Sequence, residues 1–194
     1  MPNPAAARWD ERYQQESDFW LKGEPRELLT SFAHLLPAKG YALDAASGVA
    51  NNGLYLARQG FKVFALDISE YALKLATHRA HTLGIPLEAA VVDLSQPWLP
   101  ESHFDVIVNF HFLERGTFPV YRKALKPNGL IFFDTFMKRI DQEEAPEYYL
   151  DPSELLSWFQ DYEIIYYSVE NQDPSERHPA RDLAQLVARK PKDY

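Results

Sequence analysis

Residues 43–69, LDAASGVANNGLYLARQGFKVFALDIS, decide the fold. A β-rich run closes on Asp44, and a turn of small residues continues to Gly53. A short helix follows over 54–59, then a second β-rich run, 62–67, closes on Asp67. Small side chains let backbone N–H groups approach a ligand closely, and the helix that follows turns its positive end toward the same place. Taken alone, the turn fits a tight strand-to-helix connection equally well.

Outward from this unit, β-rich runs recur at 41–44, 87–93, 104–110 and 129–135, with helices or loops between them. Strands joined by helix-length crossovers pair in parallel with right-handed connections, so the chain reads as α/β, a doubly wound open sheet with helices on both faces. Leu28, Leu29, Phe32, Leu35 and Leu36 share one face of a helix over 26–36, with Pro25 suited to its start. Ser69 caps a helix to about Leu83, stopped by Gly84 and Pro86. Asp151, Pro152, Ser153 and Glu154 read as N-cap to N3 of a helix burying Leu155, Leu156 and Phe159. In the tail, 162–168 and 183–189 are strands whose polar connection lacks helix signals, so the last pair is antiparallel. The expectation is a single domain over 1–194, with a helical cap at 1–36 and a sheet core at 37–194.

Composition narrows the function. With 20 Lys and Arg against 28 Asp and Glu in 194 residues, the net charge is −8. A grip on long nucleic acid requires a basic face, so a small-molecule partner is expected instead. There are no cysteines, which excludes disulfides, thiolate zinc sites and thiol nucleophiles. No His and carboxylate set has metal-ligand spacing, so no metal is expected. No apolar run approaches a membrane span and residues 1–8 lack a signal-peptide core, which points to a soluble, cytoplasmic protein off the membrane. Oligomeric state is not legible.

Four consecutive strands bring Asp44, Asp67, Asp93 and Asn109 to one edge of the sheet. Asp67 lies twenty-one residues after Ala46, the separation at which an acid accepts from a ribose diol in doubly wound sheets. Convergence at that edge has no structural requirement behind it and favours a nucleoside site.

Residues 43–69, with VVDLSQPWLPESHFDVIVNFHFLER at 91–115 and LKPNGLIFFDTF at 125–136, resemble class I S-adenosylmethionine-dependent methyltransferases, closest to the small tellurite-resistance-type branch. Trp9, Asp10, Arg12, Tyr13, Gly23 and Pro25 are similar to that branch's opening element and turn. The resemblance implies a Rossmann-like, mostly parallel seven-stranded sheet with an antiparallel last strand and an N-terminal flap. It implies that Asp44, Ala46, Ser47 and Gly48 face the methionine part of S-adenosylmethionine and that Asp67 holds its ribose. Ile68 would pack on adenine, Asp93 would accept from the adenine amino group, and the Leu94 N–H would address the ring. Asn109 would lie beneath the sulfonium, while Trp9, Tyr13 and Trp20 would close over the cofactor. The loop departs from the family in having Ala46 and Ala50 around a single Gly48, which is acceptable where φ stays negative. Asn128 replaces a turn glycine and tolerates positive φ.

Methyl transfer is an in-line displacement in which the protein supplies alignment. His111 is the candidate base, because imidazole titrates near neutrality; a structural histidine after a strand is its competitor. Glu114, Arg115 and Tyr148 are candidate substrate contacts, with helix capping and surface exposure as alternatives. Phe19 joins the flap aromatics, and His178 and Arg181 lie in a polar loop able to reach an anionic acceptor. Amino-group acceptors such as adenine or glutamine are disfavoured, since Asn-Phe-His-Phe stands where those enzymes carry Asn/Asp-Pro-Pro-aromatic. A nicotinamide oxidoreductase would need a Gly-x-Gly-x-x-Gly turn that is missing here. A non-catalytic nucleoside-binding module is the remaining alternative.

Overall fold

The computed structural model describes residues 3–139, 147–172 and 181–192. Helices α1 (Pro4–Gln15), α2 (Ser17–Leu21) and α3 (Glu27–Ser31) and a 3-10 turn (Ala33–Leu35) precede the sheet. Then come β1 (Gly40–Ala45), α4 (Asn51–Arg58), β2 (Phe61–Asp67), α5 (Glu70–Thr82), β3 (Glu88–Val91) and β4 (Phe104–Phe110). The remainder is α6 (Thr117–Ala124), β5 (Leu125–Met137), α7 (Glu154–Trp158), β6 (Glu163–Gln172) and β7 (Arg181–Arg189). The seven strands form one sheet in the order β3-β2-β1-β4-β5-β7-β6. Pairing is parallel from β3 to β5, and β7 runs antiparallel to both β5 and β6. This is the Rossmann-like architecture expected, and its order reverses at β1 and β4, the place where doubly wound sheets take their ligands at the strands' carboxyl ends.

Each face of the sheet carries its own core. Leu43, Ile107 and Phe133 pack with Phe118 and Tyr121 of α6 and Leu155 of α7. On the other face Val63, Val106 and Phe132 pack with Leu28 and Leu29 of α3 and Leu56 of α4. Ser69 caps α5 as expected, its Oγ accepting from the Ala72 N–H at 3.0 Å. Gly84 ends that segment at φ 65°, a conformation without penalty for glycine.

Three local expectations are corrected. The helix over 26–36 is a five-residue α3 followed by the 3-10 turn, which lets Phe32 meet Tyr166 at 5.1 Å between ring centroids. Thr30 and Ser31, weak helix formers, mark the break. The N-cap of α7 is Ser153 at φ 65°, with no side-chain cap bond. Asp151 is drawn away by Lys138, whose Nζ donates to its Oδ1 at 2.7 Å, although Glu154 still reaches back to the Asp151 N–H at 2.9 Å. Finally, β3 stops at Val91, two residues short of Asp93, because Asp93 turns to accept from the Ser95 N–H at 2.9 Å. The chain beyond β5 is described only at its ends, where Met137 bridges Leu150, and His178 lies outside the described residues.

The N-terminal cap is fastened over the carboxyl edge by four polar groups. Asn51 Nδ2 donates to the Trp20 carbonyl at 3.2 Å, and Asn52 Oδ1 accepts from the Arg26 N–H at 2.8 Å. Asp10 Oδ1 accepts from Ser69 Oγ at 2.6 Å and from the Tyr71 N–H at 2.9 Å. Asn3 Nδ2 donates to Asp93 at 2.6 Å. Replacing both Asn51 and Asn52 with alanine removes two fastenings worth about 1 kcal/mol each, in positions where alanine suits the helix. Limited proteolysis should then cut within residues 3–36 several times faster, with the far-ultraviolet circular dichroism of the sheet core unchanged.

Candidate active site

Asp44, next to last in β1, is buried, with Oδ2 accepting from the Gly53 N–H at 2.7 Å. Asp67 ends β2, also buried. Its Oδ2 accepts from the Gly48 N–H at 2.7 Å and its Oδ1 from the Ser69 N–H at 2.8 Å. One carboxylate thus joins the turn after β1 to the start of α5. Burial pushes the Asp44 carboxyl up to about 8, against the Gly53 bond, and Asp67 raises it further. Burial raises the Asp67 pKa too, against the N–H groups of Ser69, Gly48 and Ile68. No cation pairs with either carboxylate among the described residues. Two adjoining buried acids without a counter-charge form a site complementary to a cation.

The turn between them is strained. Ala46, Gly48 and Ala50 have φ of 51°, 54° and 56°. The expectation of negative φ at the two alanines is corrected: both are left-handed, because the turn must bring the Gly48 N–H onto Asp67 and start α4 under Asp44. An alanine in this region costs roughly 1–2 kcal/mol.

Tyr13 of α1 lies over the turn, and a Cβ on Gly48 would collide with its hydroxyl. Burial, with the nearby Asp67, raises the Tyr13 pKa. Its ring contacts Trp9 at 5.8 Å and Trp20 at 5.0 Å between centroids, and Arg12 caps Trp9 and Trp20 at 5.2 and 5.5 Å. The Ser47 hydroxyl and the Trp20 indole N–H are both buried without a partner. Unmet polar groups beside uncompensated carboxylates fit a polar, positively charged ligand.

The other expected residues fall on the same edge in different settings. Ile68 is half-buried beside Asp67, and Leu94 is buried. Asp93 is exposed, its carboxyl held below the usual range by hydrogen bonds from the backbone and side chain of Ser95 and from Asn3. Asn109 pairs in register with Ala45 and is occupied internally. Its Nδ2 donates to the Phe112 carbonyl at 2.8 Å, and its Oδ1 accepts from the Tyr121 hydroxyl at 3.1 Å.

His111 follows β4 at φ 56°, with its ring on Phe136 at 4.9 Å. Its Nε2 lies 2.9 Å from Arg26 Nη2. A guanidinium only donates, so Nε2 is the acceptor in this contact. Arg26 also donates from Nε and Nη2 to the buried Asp134 at 3.1 and 2.9 Å, and Asp134 Oδ1 accepts from the His111 backbone N–H at 2.9 Å. Arg26 and Asp134 were not singled out from sequence. An acid inside the apolar strand FFDTF was the available signal for Asp134, whereas nothing local marks Arg26.

Glu114 accepts from the Gly116 N–H at 3.2 Å and holds the entry to α6. Arg115 donates to both Glu154 carboxyl oxygens at 2.7 and 2.8 Å and to the carbonyls of Glu147 and Tyr149 at 2.7 and 3.1 Å. It fastens the start of α7 to the chain before it, and Tyr148 is exposed against Tyr149. No group of three potential metal ligands occurs among the described residues, and no helix among them is long and apolar enough to cross a membrane.

Residues 42–129 match the family described as a methyltransferase domain. YqeM of Bacillus subtilis (strain 168), a methyltransferase by name, is 30% identical over 108 residues, covering 51% of this chain and 43% of that protein. The chain therefore spans less than half the length of that curated relative. TehB from Haemophilus influenzae shares the fold with a TM-score of 0.76 at 17% identity, over 94% of this chain and 67% of its own. A Methanosarcina mazei protein described as a SAM-dependent methyltransferase gives a TM-score of 0.67 at 18% identity, over 87% and 99%.

Ala46→Gly and Ala50→Gly should each raise the urea-unfolding free energy by about 0.5–1 kcal/mol, the relief of left-handed strain less the added freedom of the unfolded chain.

Proposed function

We propose that this chain, whose residues 42–129 match the family described as a methyltransferase domain, binds S-adenosylmethionine and methylates a small molecule by in-line displacement. The observation that carries the reading is the pair of buried carboxylates, Asp44 and Asp67, which meet no cation among the described residues and flank a turn whose Ser47 hydroxyl finds no partner among them. When bound, S-adenosylmethionine supplies a methyl carbon activated by its sulfonium.

The chain's own groups bind, orient and exclude water. Asp67 accepts from the Gly48 N–H on Oδ2 and the Ser69 N–H on Oδ1, with the Ile68 N–H also directed at it, and its remaining acceptor capacity suits ribose hydroxyls. Asp44 and Ser47 would face the methionine portion with Ala46 and Gly48, Ile68 would cover adenine, and Asp93 and the Leu94 N–H would address the adenine edge. Asn109, locked between Tyr121 and Phe112, would form the floor under the methyl carbon. Tyr13, Trp9 and Trp20 would wall off water, and Tyr13 has to yield its place over Gly48 as the ligand enters. Residues 1–36 would act as a flap on a core formed by 37–194. Glu114, Arg115 and Tyr148 would shape the acceptor side through the loops they hold. His111 can take a proton from the acceptor only once Arg26 releases Nε2. The occupied nitrogen also fits a non-catalytic binding module, which turnover distinguishes.

Asp67→Ala should weaken S-adenosylmethionine binding by at least about tenfold, the loss of a charge-assisted contact, with the circular dichroism spectrum unchanged. Unchanged affinity removes the ribose assignment. His111→Ala should slow turnover by about a hundredfold if it is the base, at unaltered cofactor affinity.

The Asp44 carboxyl also sets a pH dependence. Its folded pKa, about 8, lies above the 3.8 of a solvated aspartate, so its contribution to stability is full below about pH 4 and is lost as pH rises through 8. A sulfonium favours the carboxylate and reverses this preference. S-adenosylmethionine should therefore release more protons on binding at pH 7 than S-adenosylhomocysteine, read by calorimetry as a more exothermic signal in Tris than in phosphate. Asp44→Asn should abolish the difference.

A further inference from the structure

The cap reaches the Asp67 carboxylate through an intermediary. Asp10 of α1 lies where α5 begins, and its Oδ1 accepts from Ser69 Oγ at 2.6 Å and from the Tyr71 N–H at 2.9 Å. Ser69 is buried and held on three sides. Its hydroxyl proton goes to Asp10, its Oγ accepts from the Ala72 N–H at 3.0 Å, and its backbone N–H donates to Asp67 Oδ1 at 2.8 Å. A serine hydroxyl has one proton to give, so its rotor is fixed once Asp10 accepts it. An unbroken run of hydrogen bonds therefore leads from α1, through one residue, to Asp67.

Helix capping explains part of this arrangement. Ser69 takes the third N–H of α5, that of Ala72, and Asp10 takes the second, that of Tyr71, from outside the helix. The other N–H donor to Asp67 lies under the same cap helix. Gly48, which donates to Asp67 Oδ2, sits beneath Tyr13, one turn beyond Asp10 on α1. The nearness of Asp10 has an electrostatic cost as well: burial above all raises the Asp67 pKa, and the charge of Asp10 adds to it. Two acids that repel are kept together.

We propose that Asp10 is a positioning residue for the cofactor: by holding Ser69 it sets the direction of the Asp67 carboxylate, and so governs recognition of ribose hydroxyls that it does not touch. The assignment rests on the S-adenosylmethionine reading and deepens it. Charge and geometry lead to opposite results when Asp10 is removed. If its charge were the operative quantity, removal would favour the ionised Asp67 and strengthen its contacts with a diol. With geometry operative, removal frees the Ser69 hydroxyl, lets the N–H that orients Asp67 Oδ1 drift, and weakens those contacts.

The test is calorimetric competition against S-adenosylhomocysteine on the full chain, giving affinities for adenosine and for 2′,3′-dideoxyadenosine, which lacks both ribose hydroxyls. The unaltered chain should prefer adenosine by at least about tenfold. Asp10→Ala should cut that preference about fivefold, and Asp10→Glu, which keeps the charge but moves the carboxylate by one methylene, about threefold. Asp10→Asn, whose amide oxygen can accept the same two bonds, should keep the preference within about twofold. Asn51→Ala loosens the cap at Trp20 without touching Ser69 and should leave the preference unchanged. Circular dichroism checks the fold of each variant, and Asp10→Glu carries the test if the alanine variant does not fold. A preference that survives both Asp10→Ala and Asp10→Glu, that rises when Asp10 is replaced, or that falls equally in Asn51→Ala overturns the proposal alone. Equal binding of the two nucleosides by the unaltered chain removes the ribose assignment to Asp67 and this proposal with it, whereas failure to bind S-adenosylhomocysteine overturns the cofactor reading itself.

Discussion

The carboxylate of Asp67 is the joint on which the site is built. It accepts a backbone N–H from the turn after β1 and another from the start of α5, so two elements that share no covalent neighbourhood meet on one buried side chain. Burying a carboxylate is unfavourable unless its lone pairs are met, and here only backbone dipoles meet them. The turn accepts left-handed alanines to keep this joint, and Asp44 beneath it remains a second buried acid without a cation. Strain and uncompensated charge therefore sit together at the point where the strand order reverses. Functional sites commonly keep both, and a ligand relieves the charge.

The cap depends on the same edge. Asp10 binds the first turn of α5, Asn51 and Asn52 bind the chain around Trp20 and Arg26, and Asn3 binds Asp93. These polar groups fasten the cap to strand and helix ends on the sheet's carboxyl edge, while Leu28 and Leu29 of α3 anchor its last part in the second apolar core. Two of its residues enter the site directly. Tyr13 lies on Gly48, and Arg26 reaches Asp134 and His111. In the proposed reading one segment therefore governs both the cofactor end and the acceptor end.

Legibility followed distance along the chain. The strand ends at Asp44 and Asp67, the Ser69 cap and the turn at Asn128 depend on neighbours within a few residues, and the structure has them as expected. Asp151 failed as an N-cap because Lys138, across the chain, took its carboxylate. Arg115 was marked as a substrate contact on loop position alone; its donors go instead to Glu154, thirty-nine residues on, and to nearby carbonyls. The left-handed alanines were invisible because alanine announces no φ, and only the requirement that Gly48 reach Asp67 imposes it.

The amino-acid order by itself determined the alternation of strands and helices, the acids at the ends of β1 and β2, and the antiparallel finish, since periodicity, caps and breakers act locally. Tertiary structure alone decided that Arg26 would pair with Asp134 from 108 residues away and occupy His111, and that Tyr13 would lie over Gly48. These outcomes depend on strand order, register and the seating of the cap, which are fixed only when the two cores close and bring distant side chains within hydrogen-bonding reach.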